Sequence, residues 1–201
     1  SKKSRIKFPA YEPWISNEDK KIVYETLKQN MLTLGPKLEK FESDFCKYSK
    51  AKYAVAVSNC TAALHLSLMA LGIGKGDEVI TTPFSFVASA NCILYEDAKP
   101  VFVDVEEDTF NIDPVKIEAA ITPRTKAILL AHIFGQSCDM TKIMKIAERY
   151  KLKVIEDACE SISATHYGKN VGTFGDVAVF AFYPNKQMTT GEGGMIVTNN
   201  E

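Results

Sequence analysis

Lys186 and the glycines that follow it form the first pattern in the chain with catalytic potential. The lysine comes after a predicted strand that ends in the run Phe180-Ala181-Phe182-Tyr183-Pro184. A lysine amine in apolar surroundings loses its proton more readily and can act as a nucleophile. Most lysines are solvated surface residues, but Gly191-Glu192-Gly193-Gly194 allows the backbone to turn tightly beside a ligand. The combination favours a reactive role for Lys186.

Asp157 is the second candidate, because it directly follows a predicted buried strand over residues 153–156. In open α/β sheets, ligands bind beyond the carboxyl ends of the strands. A carboxylate there stabilises a protonated ring nitrogen, since an opposite charge within a few ångströms favours the charged form. The alternative is an aspartate that caps the next turn, and position alone leaves both interpretations open.

Ser58-Asn59-Cys60-Thr61-Ala62-Ala63 links a predicted strand to a predicted helix. The backbone N–H groups and the positive dipole end of such a helix form an anion site, to which the Thr61 hydroxyl can contribute. Helix capping by Ser58 or Asn59 is the alternative, and caps of this kind are common. The segment lacks the GK[ST] sequence of a phosphate-binding Walker loop.

The segment Phe84-Ser85-Phe86 follows the predicted strand 78–81, and Phe86 begins a predicted helix that extends to residue 95. An aromatic ring at this place can stack on a flat cofactor, whereas core packing is the more common role of phenylalanine. Both interpretations stay open on the residues alone.

Strands and helices alternate from about residue 53 onward, which predicts an α/β fold with a mostly parallel sheet and helices on both faces. The predicted strands cover residues 53–57, 78–81, 100–103, 125–131, 153–156, 177–182 and 195–198. No helix separates the last two strands, so one of them is expected to be antiparallel. Asp113-Pro114 and Asp139 mark the starts of two of the intervening helices.

The first 50 residues differ from the rest, with two predicted helices at 17–29 and 36–48 that pack on the domain or on a partner chain. Residues 51–201 are expected to form one large α/β domain. No closing helix covers the last strand, which suggests that more sequence normally follows.

The composition argues against several functional classes. With a net charge of -1 and 46% hydrophobic residues, the chain lacks the basic excess typical of nucleic-acid or membrane-surface binding. It contains no apolar run long enough to span a membrane, and no apolar segment follows the basic start Ser1-Lys2-Lys3-Ser4-Arg5. Five cysteines and three histidines are scattered without ligand spacing, which predicts reduced thiols, no metal site and a cytoplasmic location.

The order and spacing of these motifs resemble the DegT/DnrJ/EryC1/StrS family of sugar aminotransferases, which use pyridoxal 5'-phosphate (PLP) and have the type I fold. The resemblance covers essentially the whole chain. It rests on Thr33-Leu34-Gly35-Pro36, residues 58–66, residues 76–83, residues 100–105, His132 with Gly135-Gln136, Glu156-Asp157-Ala158-Cys159-Glu160, and residues 182–186 with 191–194.

The resemblance implies a role for each candidate. Lys186 carries the cofactor as a Schiff base and later acts as the catalytic base, and Asp157 pairs with the pyridine nitrogen. Phe86 stacks on the ring, and the Thr61 hydroxyl with the Ala62 amide binds the phosphate. Glu160, where relatives often have Gln or His, contacts the side of the ring that bears the hydroxyl.

The resemblance also implies how the enzyme works as a whole. By resemblance, an amino group is expected to pass from an amino acid, with glutamate as the expected donor, to a keto group of a nucleotide-linked sugar. The resemblance also implies a homodimer with sites at the subunit interface, and a C-terminal small domain that is expected to be absent from this chain.

Two residues depart from the family pattern: Cys60 stands where many relatives have Gly, and Ala181 where most have a phosphate-binding Ser. Loss of that hydroxyl removes a hydrogen bond to a charged group, worth about 1–3 kcal/mol.

Three alternatives remain. A related PLP-dependent sugar dehydratase has His at the lysine position, so Lys186 argues against it. A non-catalytic, regulatory PLP-binding member of the family would bind cofactor without amino transfer. A structural α/β domain would bind no cofactor.

Overall fold

The computed structural model describes residues 11–201. The basic start of the chain, and with it part of the predicted N-terminal helical segment, lies outside these residues. The helices are α1 Asn17–Leu27, α2 Pro36–Ser49, α3 Cys60–Ala70, α4 Ala88–Tyr95, α5 Pro114–Ala120 and α6 Met140–Tyr150. The strands are β1 Tyr53–Val57, β2 Glu78–Thr81, β3 Lys99–Phe102, β4 Thr125–Ala131, β5 Lys153–Asp157, β6 Thr165–His166, β7 Lys169–Asn170, β8 Val177–Ala181 and β9 Gly194–Thr198.

Seven strands form one sheet in the order β1-β9-β8-β5-β4-β2-β3. The pairs β2–β3, β2–β4, β4–β5 and β5–β8 are parallel, and β9 is antiparallel to both β1 and β8. The prediction that one of the last two strands is antiparallel is therefore confirmed. The carboxyl ends of β2, β4, β5 and β8 all lie at one edge of the sheet.

Both faces of the sheet are covered, because side chains alternate along each strand. Ala127 and Leu129 of β4 pack with α3 and α4 in one core cluster. Ile128 and Leu130 of the same strand pack with α5 and α6 on the other face. The apolar, β-branched strands that the sequence shows are thus explained by burial on two sides.

The two N-terminal helices differ in how they pack. In α2, Phe45 is buried against Phe180 and Phe182, with ring centroids 5.0 and 5.8 Å away. In α1, a capping box between Ser16 and Asp19 secures the first turn, yet none of the residues in this helix is buried. The sequence prediction of two helices is correct, with α1 ending two residues earlier than predicted.

Local signals placed most helix starts correctly. The side chain of Asp113 accepts a hydrogen bond from the backbone N–H of Val115, and that of Asp139 accepts one from Lys142. The helix predicted from Phe86 begins instead at Ala88. The short antiparallel pair β6–β7 was not predicted, because two-residue strands carry no periodic pattern. Within residues 11–201, the helices are all too short or too polar to cross a bilayer.

A buried carboxylate, that of Glu156 in β5, connects the sheet to the segment before β8. Its oxygens accept hydrogen bonds from the backbone N–H groups of Gly172, Phe174 and Gly175, each at 2.7 Å, and from His132 at 3.1 Å. Burial raises the pKa of Glu156, but these hydrogen bonds outweigh that effect and hold the pKa below its usual value. The ionised carboxylate is therefore the stabilised form.

Glu156→Gln is expected to lower the free energy of unfolding by about 3 kcal/mol, because an amide nitrogen would face backbone donors in a buried site. The stabilisation by wild-type Glu156 is present above the usual carboxyl pKa of 4.5 and is lost as pH falls through the lower folded-state value. Urea unfolding of the full-length protein at pH 7 measures the difference. The exposed Glu148→Gln is the matched control and should change stability by less than about 0.5 kcal/mol; equal effects of the two variants would contradict the account.

Candidate active site

A cavity of about 280 Å³ lies at the sheet edge where the parallel strands end. Its walls come from the segments that follow β2, β4 and β8, together with the end of β5. It is lined by Pro83, Phe84, Ser85, Phe86, Ala131, His132, Ile133, Phe134, Asp157, Cys159, Glu160 and Lys186. The size is close to the lower end of the range for small-molecule sites, and the location is the one expected for an open α/β sheet.

Asp157 is the last residue of β5 and lines this cavity. Among the described residues only Cys159 donates a hydrogen bond to its carboxylate, from the backbone nitrogen at 3.1 Å. Burial raises the pKa of Asp157, and the opposing effects of the bonds from Cys159 and of the Lys186 charge do not cancel the increase. The carboxylate therefore lacks the counter-charge that a cationic ligand group would provide.

Lys186 reaches the same cavity from the loop after β8. Its Nζ lies 3.0 Å from Oε1 of Glu160, and the lysine side chain is only 18% exposed. The second oxygen of Glu160 accepts the backbone N–H of Phe134 at 3.1 Å. The lysine amine is thus held in place by an ion pair within the wall of the cavity.

The glycine-rich segment after Lys186 brings the backbone of two loops together. Gly191 has a φ of +84°, a left-handed conformation that glycine adopts without strain. A Cβ atom on Gly194 would lie 2.8 Å from the carbonyl carbon of Asn59, so only glycine allows this close approach. The loop after β8 is therefore packed directly on the start of α3.

The predicted anion site at the start of α3 is occupied by a helix cap. The Asn59 side chain accepts the backbone N–H of Ala62 at 2.9 Å, which is the capping arrangement that the sequence left open. Thr61 and Ala62 are not among the residues that line the cavity. The residue before them, Cys60, contacts the cavity wall, because its Sγ atom lies 2.7 Å from that of Cys159.

Phe86 lines the cavity and is 74% exposed, so its ring is available to a ligand rather than buried in the core. Phe84 and Phe134 also contribute to the wall, with ring centroids 6.0 Å apart in an edge-to-face arrangement. Phe84 belongs to the candidate segment Phe84-Ser85-Phe86 that the sequence indicated, whereas Phe134 was not identified from the sequence. The position of Phe134 shortly after β4 is the signal that would have identified it.

His132 also lines the cavity, although both of its nitrogens are occupied by the protein. Its Nδ1 accepts the backbone N–H of Cys138 at 3.0 Å, so the ring proton lies on Nε2, which donates to Glu156. In the sequence, His132 was identified only as part of a motif. In the structure it connects the buried Glu156 to the wall of the cavity.

A family-level sequence comparison matches residues 13–201 to the DegT/DnrJ/EryC1/StrS aminotransferase family. The chain belongs to this family. The match spans nearly all of the described residues and includes every segment that forms the cavity.

Two curated relatives show how close the similarity is. The spore coat polysaccharide biosynthesis protein SpsC of Bacillus subtilis is 50% identical over 189 residues, covering 94% of this chain and 49% of the relative. GDP-perosamine synthase of Caulobacter vibrioides is 47% identical over 190 residues, covering 94% and 51%. The chain therefore spans about half the length of the curated relatives it matches.

Solved structures confirm the predicted fold class. The aminotransferase from Psychrobacter cryohalolentis superposes with a TM-score of 0.91 at 41% identity, over 94% of this chain and 49% of that one. The PLP form of a putative sugar aminotransferase from Streptococcus pneumoniae gives a TM-score of 0.93 at 30% identity, over 96% and 53%. The mostly parallel sheet with helices on both faces is the fold of those proteins.

Asp157→Asn is expected to raise the melting temperature of the cofactor-free, full-length protein at pH 7. Because the folded-state pKa of Asp157 lies above its usual value of 3.8, the charged carboxylate reduces stability as pH rises, and Asn removes that cost. The gain should shrink as pH falls through the folded-state pKa and disappear below 3.8, where the wild-type group becomes protonated in both states. Thermal unfolding across this pH range measures it, with the exposed Asp108→Asn as control; a melting temperature below wild type at every pH would refute the prediction.

Proposed function

We propose that this chain is the cofactor-holding part of a PLP-dependent aminotransferase that acts on a sugar. The observation that carries the proposal is the convergence of Lys186, Asp157 and Phe86 on one cavity. These are the three side-chain types that a PLP site needs: an amine, an acid and an aromatic surface. Family membership, and the PLP form of the similar Streptococcus pneumoniae protein, support the same assignment.

The residues present fit this cofactor. Asp157 is buried with little hydrogen bonding, so it is suited to a cationic ring nitrogen. Lys186 provides the amine for covalent attachment, and Glu160 lies within reach of that amine, on the side proposed for the ring hydroxyl. Phe86 offers an exposed ring for stacking. When bound, PLP supplies an electron sink that makes the α-hydrogen of an attached amino acid acidic.

The chain's own residues would perform the remaining tasks. With the cofactor bound, Nζ of Lys186 would be the base that takes a proton from the α-carbon of the amino donor. Glu160 holds Nζ in position through their ion pair. Asp157 would provide the negative charge for a cationic ring nitrogen, and Phe86 would exclude water from one side of the site.

We assign phosphate binding to Thr61 and to the backbone amide of Ala62, at the positive end of the α3 dipole. In the structure the Ala62 amide donates to Asn59, so its use by a phosphate requires the Asn59 side chain to turn away. Ala181, which replaces the usual Ser, is buried in the core and offers no hydroxyl. The Thr61 hydroxyl therefore becomes the main side-chain contact on this side.

The proposed substrates are a keto sugar linked to a nucleotide and an amino-acid donor, with glutamate as the first donor to test. The name of the Caulobacter vibrioides relative, GDP-perosamine synthase, supports a nucleotide-linked sugar, and that of SpsC supports a place in polysaccharide biosynthesis. A cytoplasmic location remains a prediction and agrees with the free cysteines.

The proposed assembly is a homodimer in which α1 contacts the partner subunit. Helix α1 has no buried residue, and its apolar side chains Ile22, Val23 and Leu27 are 47–63% exposed. Apolar side chains grouped on one exposed helix are typical of an interface between chains. We place the active site near that interface, with the C-terminal small domain as a further part of the enzyme.

Lys186→Ala is expected to abolish covalent cofactor binding in the full-length protein. Wild type incubated with PLP and reduced with borohydride should retain the cofactor on the tryptic peptide that begins at Asn170, and addition of glutamate before reduction should prevent this labelling. Lys145→Ala on the exposed surface of α6 is the control and should behave as wild type. If the wild-type protein were not labelled, the result would favour a structural α/β domain that binds no cofactor. Labelling that no amino donor reverses would favour a regulatory, non-catalytic protein.

The double substitution Val23→Glu and Leu27→Glu is expected to convert the full-length dimer to a monomer, because it places charges in an apolar contact. Sedimentation equilibrium measures the change. Val115→Glu on α5, where the wild-type side chain is 74% exposed, is the control and should remain dimeric. A dimer that survives the double substitution would show that α1 lies outside the interface.

A further inference from the structure

Two cysteines far apart in the sequence meet beside the proposed cofactor site. The Sγ atoms of Cys60 and Cys159 are 2.7 Å apart, although 99 positions separate the residues. Cys60 is the first residue of α3, and Cys159 lines the cavity two residues after Asp157. A disulfide bond is about 2.05 Å long, so a sub-ångström movement of the sulfur atoms separates this pair from bonding distance.

The backbone on each side holds the two sulfur atoms near each other. Gly194 packs against the backbone of Asn59 and Cys60, where a Cβ atom would be within 3.0 Å of the Cys60 nitrogen. On the other side, the Cys159 nitrogen donates to the buried Asp157 carboxylate. The pair is thus set by the packing of two loops on the sheet, not by a chance orientation of exposed side chains.

The other cysteines have no such partner among the described residues. The Cys46 thiol donates to the backbone carbonyl of Lys52 at the surface. Cys92 and Cys138 are fully buried, and their thiols donate to the carbonyls of Ser89 and Ala131. All five cysteines are free thiols in this structure.

We propose that Cys60 and Cys159 form a reversible disulfide beside the cavity when the cofactor-free protein meets a low-molecular-weight disulfide. The proposal does not depend on the aminotransferase function, since it concerns only the two thiols. It does predict that a ligand filling the cavity, which Cys159 lines, hinders the reaction.

The chemistry balances as two thiol–disulfide exchanges. Cys60 is the less buried of the two, so its thiolate attacks one sulfur of the reagent, the reagent S–S bond breaks and one small thiol leaves. Cys159 then loses its proton and attacks the Cys60 sulfur of the mixed disulfide, releasing the second small thiol. Two protein thiols are oxidised and one reagent disulfide is reduced to two thiols.

The Cys60 thiol is expected to react slowly near neutral pH, because little of it is ionised there. The hydrogen bond with Cys159 lowers the pKa of Cys60, but burial and the nearby Asp157 carboxylate raise it, and the net value is above the usual one. Burial raises the pKa of Cys159 as well. The pair is therefore expected to remain reduced unless an oxidant is present.

Trypsin separates the two cysteines cleanly, which allows a direct test in the full-length protein. Residues 53–75 and 154–169 are tryptic peptides with one cysteine each, Cys60 and Cys159. After removal of PLP and treatment with hydroxyethyl disulfide, mass spectrometry should find these peptides joined, and dithiothreitol should release them. Recovery of both peptides only as free or singly modified thiols would overturn the proposal.

Matched variants and the cofactor complete the test. Cys60→Ser and Cys159→Ser should each abolish the joined peptides, whereas Cys46→Ser should leave the yield unchanged. Circular dichroism checks that each variant is folded. If a variant does not fold, the peptide analysis of the wild-type protein still tests the proposal. Prior loading with PLP should slow the joining reaction. Equal rates with and without bound PLP would contradict the prediction that a ligand in the cavity hinders the reaction at Cys159.

Discussion

Two adjacent carboxylates at the end of β5 determine how the rest of the site is built. Side chains alternate along a strand, so Glu156 and Asp157 point to opposite faces of the sheet. Glu156 accepts hydrogen bonds from three backbone N–H groups and from His132. Asp157 receives bonds from Cys159 alone among the described residues. One carboxylate is thus fully satisfied by the protein, and the other is left with capacity for a ligand.

These two neighbouring residues of β5 therefore have different roles: Glu156 stabilises the fold, and Asp157 is available for the proposed chemistry. Glu156 connects β5 to the segment from Gly172 to Gly175, and that segment leads directly into β8 and the loop that carries Lys186. The position of the lysine therefore depends on the structural carboxylate, whereas its proposed chemistry depends on the adjacent one. The raised pKa of Asp157 shows that the folded protein bears an electrostatic cost at this position. A cationic ring nitrogen would offset that cost, which explains why an enzyme would retain it.

Much of the fold could be predicted from the sequence, because the large strands and helices have strong periodic patterns. The seven strands of the main sheet agree with the prediction to within a residue or two at each end. Asp113 caps the helix that it was predicted to cap, and Asp139, predicted as the start of a helix, is the cap of that helix. The order of strands in the sheet was not predicted, since it depends on packing between distant segments. The same reason applies to the hairpin β6–β7 and to the meeting of Cys60 with Cys159.

For the candidate site, the sequence identified most of the residues but not the contacts that they make. Lys186, Asp157, Phe86 and Glu160 were each named from position or resemblance, and the structure brings all four to one cavity. It does not place Thr61 or Ala62 there, and it shows the Ala62 amide engaged by Asn59. Local sequence does not show whether the Ala62 N–H group donates to the Asn59 side chain or to a ligand phosphate. The ion pair between Lys186 and Glu160 also joins segments that no local pattern relates.

The central claim is that Lys186 and Asp157 face two ends of the same flat ring. A crystal structure of the full-length protein with PLP tests it most directly. The account predicts continuous density from Nζ of Lys186 to the cofactor and an Asp157 carboxylate oxygen within hydrogen-bonding distance of the ring nitrogen. A cofactor bound elsewhere, or a ring nitrogen that faces any group other than Asp157, would contradict it.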